Sequence, residues 1–215
     1  VISGLYGMVD TSARPDRAHL DLADALLAAG VGVLQLRMKG ATDEAVVAVM
    51  RGLFPRLGGA TLILDDRTEI AAAHPGVGVH LGQTDDDPAE ARRRLGPDRV
   101  IGWSTHTIGQ VRAAAALPIQ YIGFGPIFSS AGKHRFSEDA RTPMGSVGLD
   151  DLRAAVEVSE LPVVAIGGIT EENLPRVLGT GVASVAVIGA VAAAPDMRQA
   201  ARRVQEAFAR RKDGL

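Results

Sequence analysis

Short runs rich in Val, Ile and Leu recur eight times along the chain, each followed by a longer stretch of helical period, and this alternation constrains the fold more than any other feature. Two adjacent parallel strands need a crossover of a dozen or more residues, which a helix supplies, so such alternation is the signature of repeated βα units. The runs are approximately Leu5–Val9, Val33–Arg37, Thr61–Leu64, Gly78–Leu81, Val100–Gly102, Tyr121–Phe124, Val163–Ile166 and Ser184–Ile188. Helical patterns cover Ala18–Ala29, Thr42–Leu57, Glu69–Ala73, Pro88–Leu95, Ile108–Ala116, Gly148–Val158, Glu171–Leu178 and Pro195–Arg211.

Local punctuation agrees with this division. Asp43-Glu44, Asp87 before Pro88, and Thr170-Glu171-Glu172 ahead of Leu174 are helix-start signals, and Gly30, Gly96 and Gly181 stand where helices should stop. Eight strands with both faces covered predict a (β/α)8 TIM barrel of the α/β class; an open doubly wound sheet is the alternative that the pattern leaves. A length of 215 residues matches one barrel, so residues 1–215 are read as a single domain.

Balanced charge, 23 basic against 25 acidic residues, gives no field that would gather nucleic acid or an anionic membrane. Cysteine is absent, which excludes disulfides, thiolate catalysis and thiolate-bound metals and leaves carboxylates and histidines as metal ligands. No apolar run reaches the roughly 20 residues of a membrane span, and Val1-Ile2-Ser3-Gly4-Leu5 has no basic segment ahead of it. The expectation is a soluble, cytoplasmic protein with neither nucleic-acid nor membrane partner; homo-oligomerisation is left open. The one long irregular stretch, Ser129 to Ser146, has a length that is uncommon unless functional or mobile.

In a parallel barrel the catalytic groups project from the C-terminal ends of strands, so polar residues just after each apolar run are the candidates. The second run ends in Gln35-Leu36-Arg37-Met38-Lys39, and alternation places Gln35, Arg37 and Lys39 on one face. A guanidinium fork beside an ammonium suits phosphate or diphosphate oxygens, against the plainer reading of a solvated basic pair. The third run delivers Asp65-Asp66-Arg67 at its tip. Adjacent carboxylates repel, and either Mg2+ or an N-cap role in the next helix answers that repulsion.

The fourth run adds His80 and, four residues after Leu81, Asp85, which either completes a metal site or serves as a cap; Asp86 and Asp87 are better placed for capping. The fifth leads into Ser104-Thr105-His106-Thr107, where Ser104 and helix amides make a reasonable oxyanion or diphosphate site, while His106 reads more simply as a backbone hydrogen-bonding group. No Ser-His-Asp triad can be assigned. After the sixth, Lys133 sits on a loop long enough to close over a ligand, or is a solvated lysine on a mobile one. The seventh and eighth are followed by Gly167-Gly168-Ile169-Thr170 and Ile188-Gly189-Ala190, turns whose amides stand where barrels commonly bind phosphate.

Taken in order, Gln35-Leu36-Arg37-Met38-Lys39-Gly40, Asp65-Asp66, His80-Leu81-Gly82-Gln83-Thr84-Asp85, Ser104-Thr105-His106-Thr107, Gly125-Pro126-Ile127-Phe128 and Ala165-Ile166-Gly167-Gly168-Ile169-Thr170 make the chain resemble the thiamine-phosphate synthase family from about Leu5 to the last helix. That family is a group of transferases joining a hydroxymethylpyrimidine diphosphate to a thiazole phosphate, with Mg2+ as cofactor. The resemblance implies that Gln35, Arg37 and Lys39 hold the diphosphate, that Asp66 and Asp85 ligate Mg2+, and that Ser104 and Lys133 also contact diphosphate. It further implies that His80 positions the pyrimidine and that amides at Gly168, Ile188 and Gly189 hold the thiazole phosphate, with Asp65 and Ser130 as further substrate-binding positions. Ser104, His106 and Lys133 are the catalytic candidates.

Three departures from the family pattern stand out. Asp65 stands where asparagine is usual and should repel diphosphate unless it binds metal or is protonated; Ser130-Ala131-Gly132 lacks the usual threonines; Gly189 replaces a serine. The related thiazole tautomerase, a metal-independent isomerase with a histidine matching His106, is the nearest rival, and a barrel that binds ligand without turnover is a third reading.

Overall fold

The computed structural model describes residues 2–12, 14–128 and 146–212. Eight strands form: β1 (Gly4–Val9), β2 (Val33–Leu36), β3 (Thr61–Asp65), β4 (Gly78–Leu81), β5 (Ile101–Thr105), β6 (Tyr121–Phe124), β7 (Val163–Ile166) and β8 (Ser184–Val187). Each pairs in parallel with the next, and β8 pairs with β1 from Gly4↔Ser184 to Gly7↔Val187, so the sheet closes into a barrel. The Ser184 hydroxyl donates to the Gly4 carbonyl at 2.8 Å, and Gln205 Oε1 accepts from Leu5 N–H at 2.8 Å, fastening the seam from inside and from the last helix. Closure leaves no strand edge, and it rejects the open doubly wound alternative.

Around the barrel run α1 (His19–Ala28), α2 (Asp43–Leu53), α3 (Thr68–Ala73), α4 (Pro88–Leu95), α5 (Ile108–Ala114), α6 (Gly148–Val158), α7 (Leu174–Leu178), α8 (Gly189–Ala192) and α9 (Met197–Lys212). Thr42, Asp87 and Thr107 cap α2, α4 and α5 through their side chains, each cap contributing about 1 kcal/mol. Strand alternation splits the apolar residues into two cores. Leu34, Leu36, Leu62 and Leu64 face outward into the layer under the helices, whereas Tyr6, Met8, Val33, Ile63, Tyr121, Val164 and Ala186 fill the barrel interior.

The element boundaries differ from expectation in physically interpretable ways. β5 runs on to Thr105 because Trp103, Ser104 and Thr105 pair with Ile122, Gly123 and Phe124; polar residues at a barrel mouth still make ladder hydrogen bonds. Pro55 lies in a short 3-10 turn, Phe54–Arg56, that ends the second helical pattern early. The seventh helix starts at Leu174 rather than Glu171, since Thr170 and Asn173 bond reciprocally and hold the preceding residues in a turn. The final pattern, expected as Pro195–Arg211, begins at Met197 after a separate four-residue α8.

Candidate active site

The carboxyl ends of the strands surround a well of about 270 Å3, near the lower end of the roughly 300 to 1,000 Å3 typical of small-molecule sites. Its floor is apolar, made by Tyr6, Met8, Val164, Ile166 and Ala186, and its rim is charged. Of the residues expected in the site, Gln35, Arg37, Lys39, Asp65, Asp66, His80, Asp85, Ser104, His106 and Ile188 line this one well. Gly168 and Gly189 stand just outside its lining, with the neighbouring Gly167 on it. Ser130 and Lys133 lie outside the described residues.

Along β1 to β4 the rim carries alternating charge. Arg37 Nη1 lies 2.6 Å from Asp10 Oδ2 and its Nε 3.4 Å from Asp65 Oδ2. Lys39 Nζ pairs with Asp65 at 3.4 Å and with Asp66. Burial pushes the Asp65 carboxyl above its usual range, against the pull of Arg37 and Lys39. Burial alone would lower the Lys39 ammonium, but Asp65 and Asp66 outweigh it and raise it, so Lys39 remains a cation. Asp85 is raised by desolvation and then by the neighbouring Asp66, although Gly82 N–H donates to its Oδ2 at 2.6 Å.

The capping alternatives resolve differently at the two acidic positions. Arg67, not Asp66, occupies the N-cap of α3, and it makes no side-chain cap there. Asp87 caps α4 and leaves Asp85 to the rim. Asp66 is also the one non-glycine residue with positive φ among the described residues, at 61°. A side chain held in that costly region at the end of a barrel strand is a pointer to function.

Among the described residues, no group of three or more His, Asp or Glu side chains is gathered closely enough to cage a metal ion. Mg2+ needs no such cage: it typically takes one or two carboxylates and completes its shell with water and substrate phosphate oxygens. Asp66 and Asp85, two carboxylates close enough that one raises the other, are a donor set of that kind.

Beside this rim, His80, the register partner of Asp65, has Nδ1 2.9 Å from the Tyr121 hydroxyl and Nε2 2.9 Å from Ser104 Oγ. Burial pushes the imidazole down to about 4, so the ring is neutral. Gln83 Nε2 donates to the Ser104 carbonyl at 2.5 Å and is braced in turn by Gln110. His106 does bond the backbone, as its plainer reading held: a carbonyl can only accept, so Nδ1–H donates to Gly125 O at 2.6 Å. That leaves Nε2 as the ring nitrogen available to a ligand.

Sequence reasoning passed over Asp10, Tyr6 and Tyr121. Asp10 is 2% exposed; burial would raise its carboxyl, but Ser12 and Arg37 hold it below the usual range. Its signal was available, since it directly follows the first apolar run. The tyrosines gave none, because an aromatic residue inside a strand reads as core.

Fold and site together define a (β/α)8 barrel that offers an anionic ligand a charged rim and its organic part an apolar well. A family model, thiamine monophosphate synthase, matches residues 5–191. The chain is 38% identical over 208 residues to a thiamine-phosphate synthase of Moorella thermoacetica, covering 96% of each chain, and 38% identical over 200 residues to that of Azorhizobium caulinodans, covering 92% of this chain and 91% of the relative. A solved structure, a thiamine phosphate pyrophosphorylase from Pyrococcus furiosus, superimposes with a TM-score of 0.81 at 30% identity over 96% of both chains. The chain belongs to the thiamine-phosphate synthase family.

Proposed function

We propose that this protein is the transferase that couples hydroxymethylpyrimidine diphosphate to thiazole phosphate, giving thiamine phosphate and diphosphate. The observation that carries this reading is the convergence, on one rim above one apolar well, of Gln35, Arg37 and Lys39 with the carboxylates Asp66 and Asp85. A tautomerase has no use for that acidic pair.

In the reaction the bond between the pyrimidine methylene and the diphosphate oxygen breaks, and the diphosphate leaves with the electron pair. The thiazole nitrogen donates its lone pair to the resonance-stabilised methylene cation, forming the carbon–nitrogen bond. Asp66 and Asp85 would hold Mg2+, which would supply positive charge to the leaving oxygens. Gln35, Arg37 and Lys39 hold the diphosphate, and Ser104 and Lys133 donate to the same group. Preorganised donors of this kind act where charge develops, without reorganisation at the moment of reaction.

The apolar floor of Met8, Val164 and Ala186 keeps bulk water from the cation, while His80 positions the pyrimidine. Amides at Gly168, Ile188 and Gly189 hold the thiazole phosphate, Asp65 and Ser130 complete the substrate contacts, and His106, its Nδ1 committed to Gly125 O, offers Nε2 to the reaction. The protein works as one cytoplasmic domain on small phosphorylated substrates; among the described residues no helix is long and apolar enough to cross a membrane.

The test is to incubate purified protein with both precursors and follow thiamine phosphate by conversion to a fluorescent thiochrome. Product in the presence of Mg2+ is expected. Interconversion of thiazole phosphate isomers without metal, and no thiamine phosphate, would support the tautomerase instead, with His106 as its proton-transfer residue.

A further inference from the structure

A line of hydrogen bonds climbs the inside of the barrel. Tyr6 Oη lies 2.6 Å from Tyr121 Oη, Tyr121 Oη 2.9 Å from His80 Nδ1, and His80 Nε2 2.9 Å from Ser104 Oγ. Both tyrosines are buried, at 3% and 1% exposure. The backbone makes room for this line at Gly102, the register partner of both His80 and Tyr121. A Cβ on Gly102 would fall 2.0 Å from Tyr121 Cζ, so any other residue there would displace the ring.

The protons along such a chain must all point one way or all the other. If Ser104 donated to His80 Nε2, then Nδ1–H would donate to Tyr121 and Tyr121 to Tyr6. Among the described residues Tyr121 is the one hydrogen-bond partner of the Tyr6 hydroxyl, so the buried Tyr6 proton would have no protein acceptor there. An orphaned buried donor costs more than an unused lone pair on an oxygen that already bonds. In the opposite sense Tyr6 donates to Tyr121, Tyr121 to Nδ1, and Nε2–H to Ser104 Oγ, and the one proton left over is that of Ser104, at the mouth of the well.

We propose that Tyr121 is a positioning residue: through His80 it selects the Nε2–H tautomer and so turns the Ser104 hydroxyl into a donor aimed at the anionic ligand. The consequence for binding rests on the reading of Ser104 as a diphosphate contact; the tautomer does not. A serine facing a polyanion is useful only as a donor; were the imidazole to accept its proton, the serine oxygen would present lone pairs to the phosphate instead.

Side-chain nitrogen NMR on ligand-free protein labelled at histidine reads the tautomer directly. His80 in the Nε2–H form is expected in the wild type and in Tyr6→Phe, which leaves Tyr121 able to donate. In Tyr121→Phe, Nδ1 loses its donor, and a shift toward the Nδ1–H form is expected. The same variant should lower kcat/KM for the pyrimidine diphosphate roughly five- to tenfold, the scale of one hydrogen bond. An Nδ1–H ring in the wild type, or a tautomer indifferent to Tyr121→Phe, would overturn the proposal. If that variant does not fold, the wild-type measurement decides alone. An enzyme without coupling activity but with an Nε2–H His80 counts against the reaction and for the relay.

Discussion

Arg37 Nε lies 3.4 Å from the Oδ2 of Asp65, an ion pair that joins the residue expected to grip a diphosphate to the one expected to repel it. The repulsion is therefore answered within the protein, because Asp65 sits between Arg37 and Lys39 rather than facing the ligand alone. The arrangement has a cost: each cation is partly committed before substrate arrives.

Asp65→Asn keeps the shape and removes the charge. KM for the pyrimidine diphosphate should fall roughly three- to tenfold, the scale of about 1 kcal/mol from releasing Arg37 and Lys39 to the ligand, with kcat little changed. Steady-state kinetics at fixed Mg2+ checks this; a rise in KM would mean that Asp65 holds the cations in their working positions.

Asp66→Asn tests the metal assignment without disturbing the backbone, since asparagine tolerates the positive φ of 61° that alanine would meet at about 1 kcal/mol or more. Turnover should drop by roughly two to three orders of magnitude, the usual loss on removing a charge-stabilising group, and Mg2+ should no longer activate. An unaltered Mg2+ titration, with the melting temperature near that of the wild type, would reject Asp66 as a ligand.

The eight strands were legible because a strand packed on both faces is a run of apolar residues whatever its neighbours are; alternation put Arg37 and Lys39 on one face, and Asp66 and Asp85 stood out by following the third and fourth runs. What stayed hidden was what those side chains do to each other. Sequence places Asp65 and Arg37 on neighbouring strands, but not the 3.4 Å that turns a repulsive carboxylate into a pairing one. Tyr121 was unreadable for a different reason: its ring packs as core while its hydroxyl belongs to the site. β5 extends beyond its apolar run to Thr105 because Ser104 and Thr105, though polar, still pair in the ladder; polarity at a barrel mouth marks function rather than the end of pairing.

His80 gives the pH dependence of stability. Its folded value of about 4 lies below the ordinary 6.5, so the unfolded chain binds a proton in that window that the folded protein does not. Its contribution is fully present above pH 6.5 and is lost as pH falls toward 4, by up to about 1.4 kcal/mol per pH unit. Asp65 and Asp85, whose values are raised, act in the opposite sense above the ordinary carboxylate value, so the comparison must be with a variant. Urea midpoints measured at several pH values should decline more steeply in the wild type than in His80→Gln between pH 6.5 and 4; parallel curves would mean that His80 is not held neutral.

The coupling reaction itself is tested most directly by diphosphate release from purified protein given both precursors, with and without Mg2+. With the metal, one diphosphate should appear for each thiamine phosphate formed, and omission of the thiazole phosphate or of Mg2+ should suppress both products. No diphosphate release under any of these conditions would contradict the assignment of the charged rim to a metal-assisted synthase.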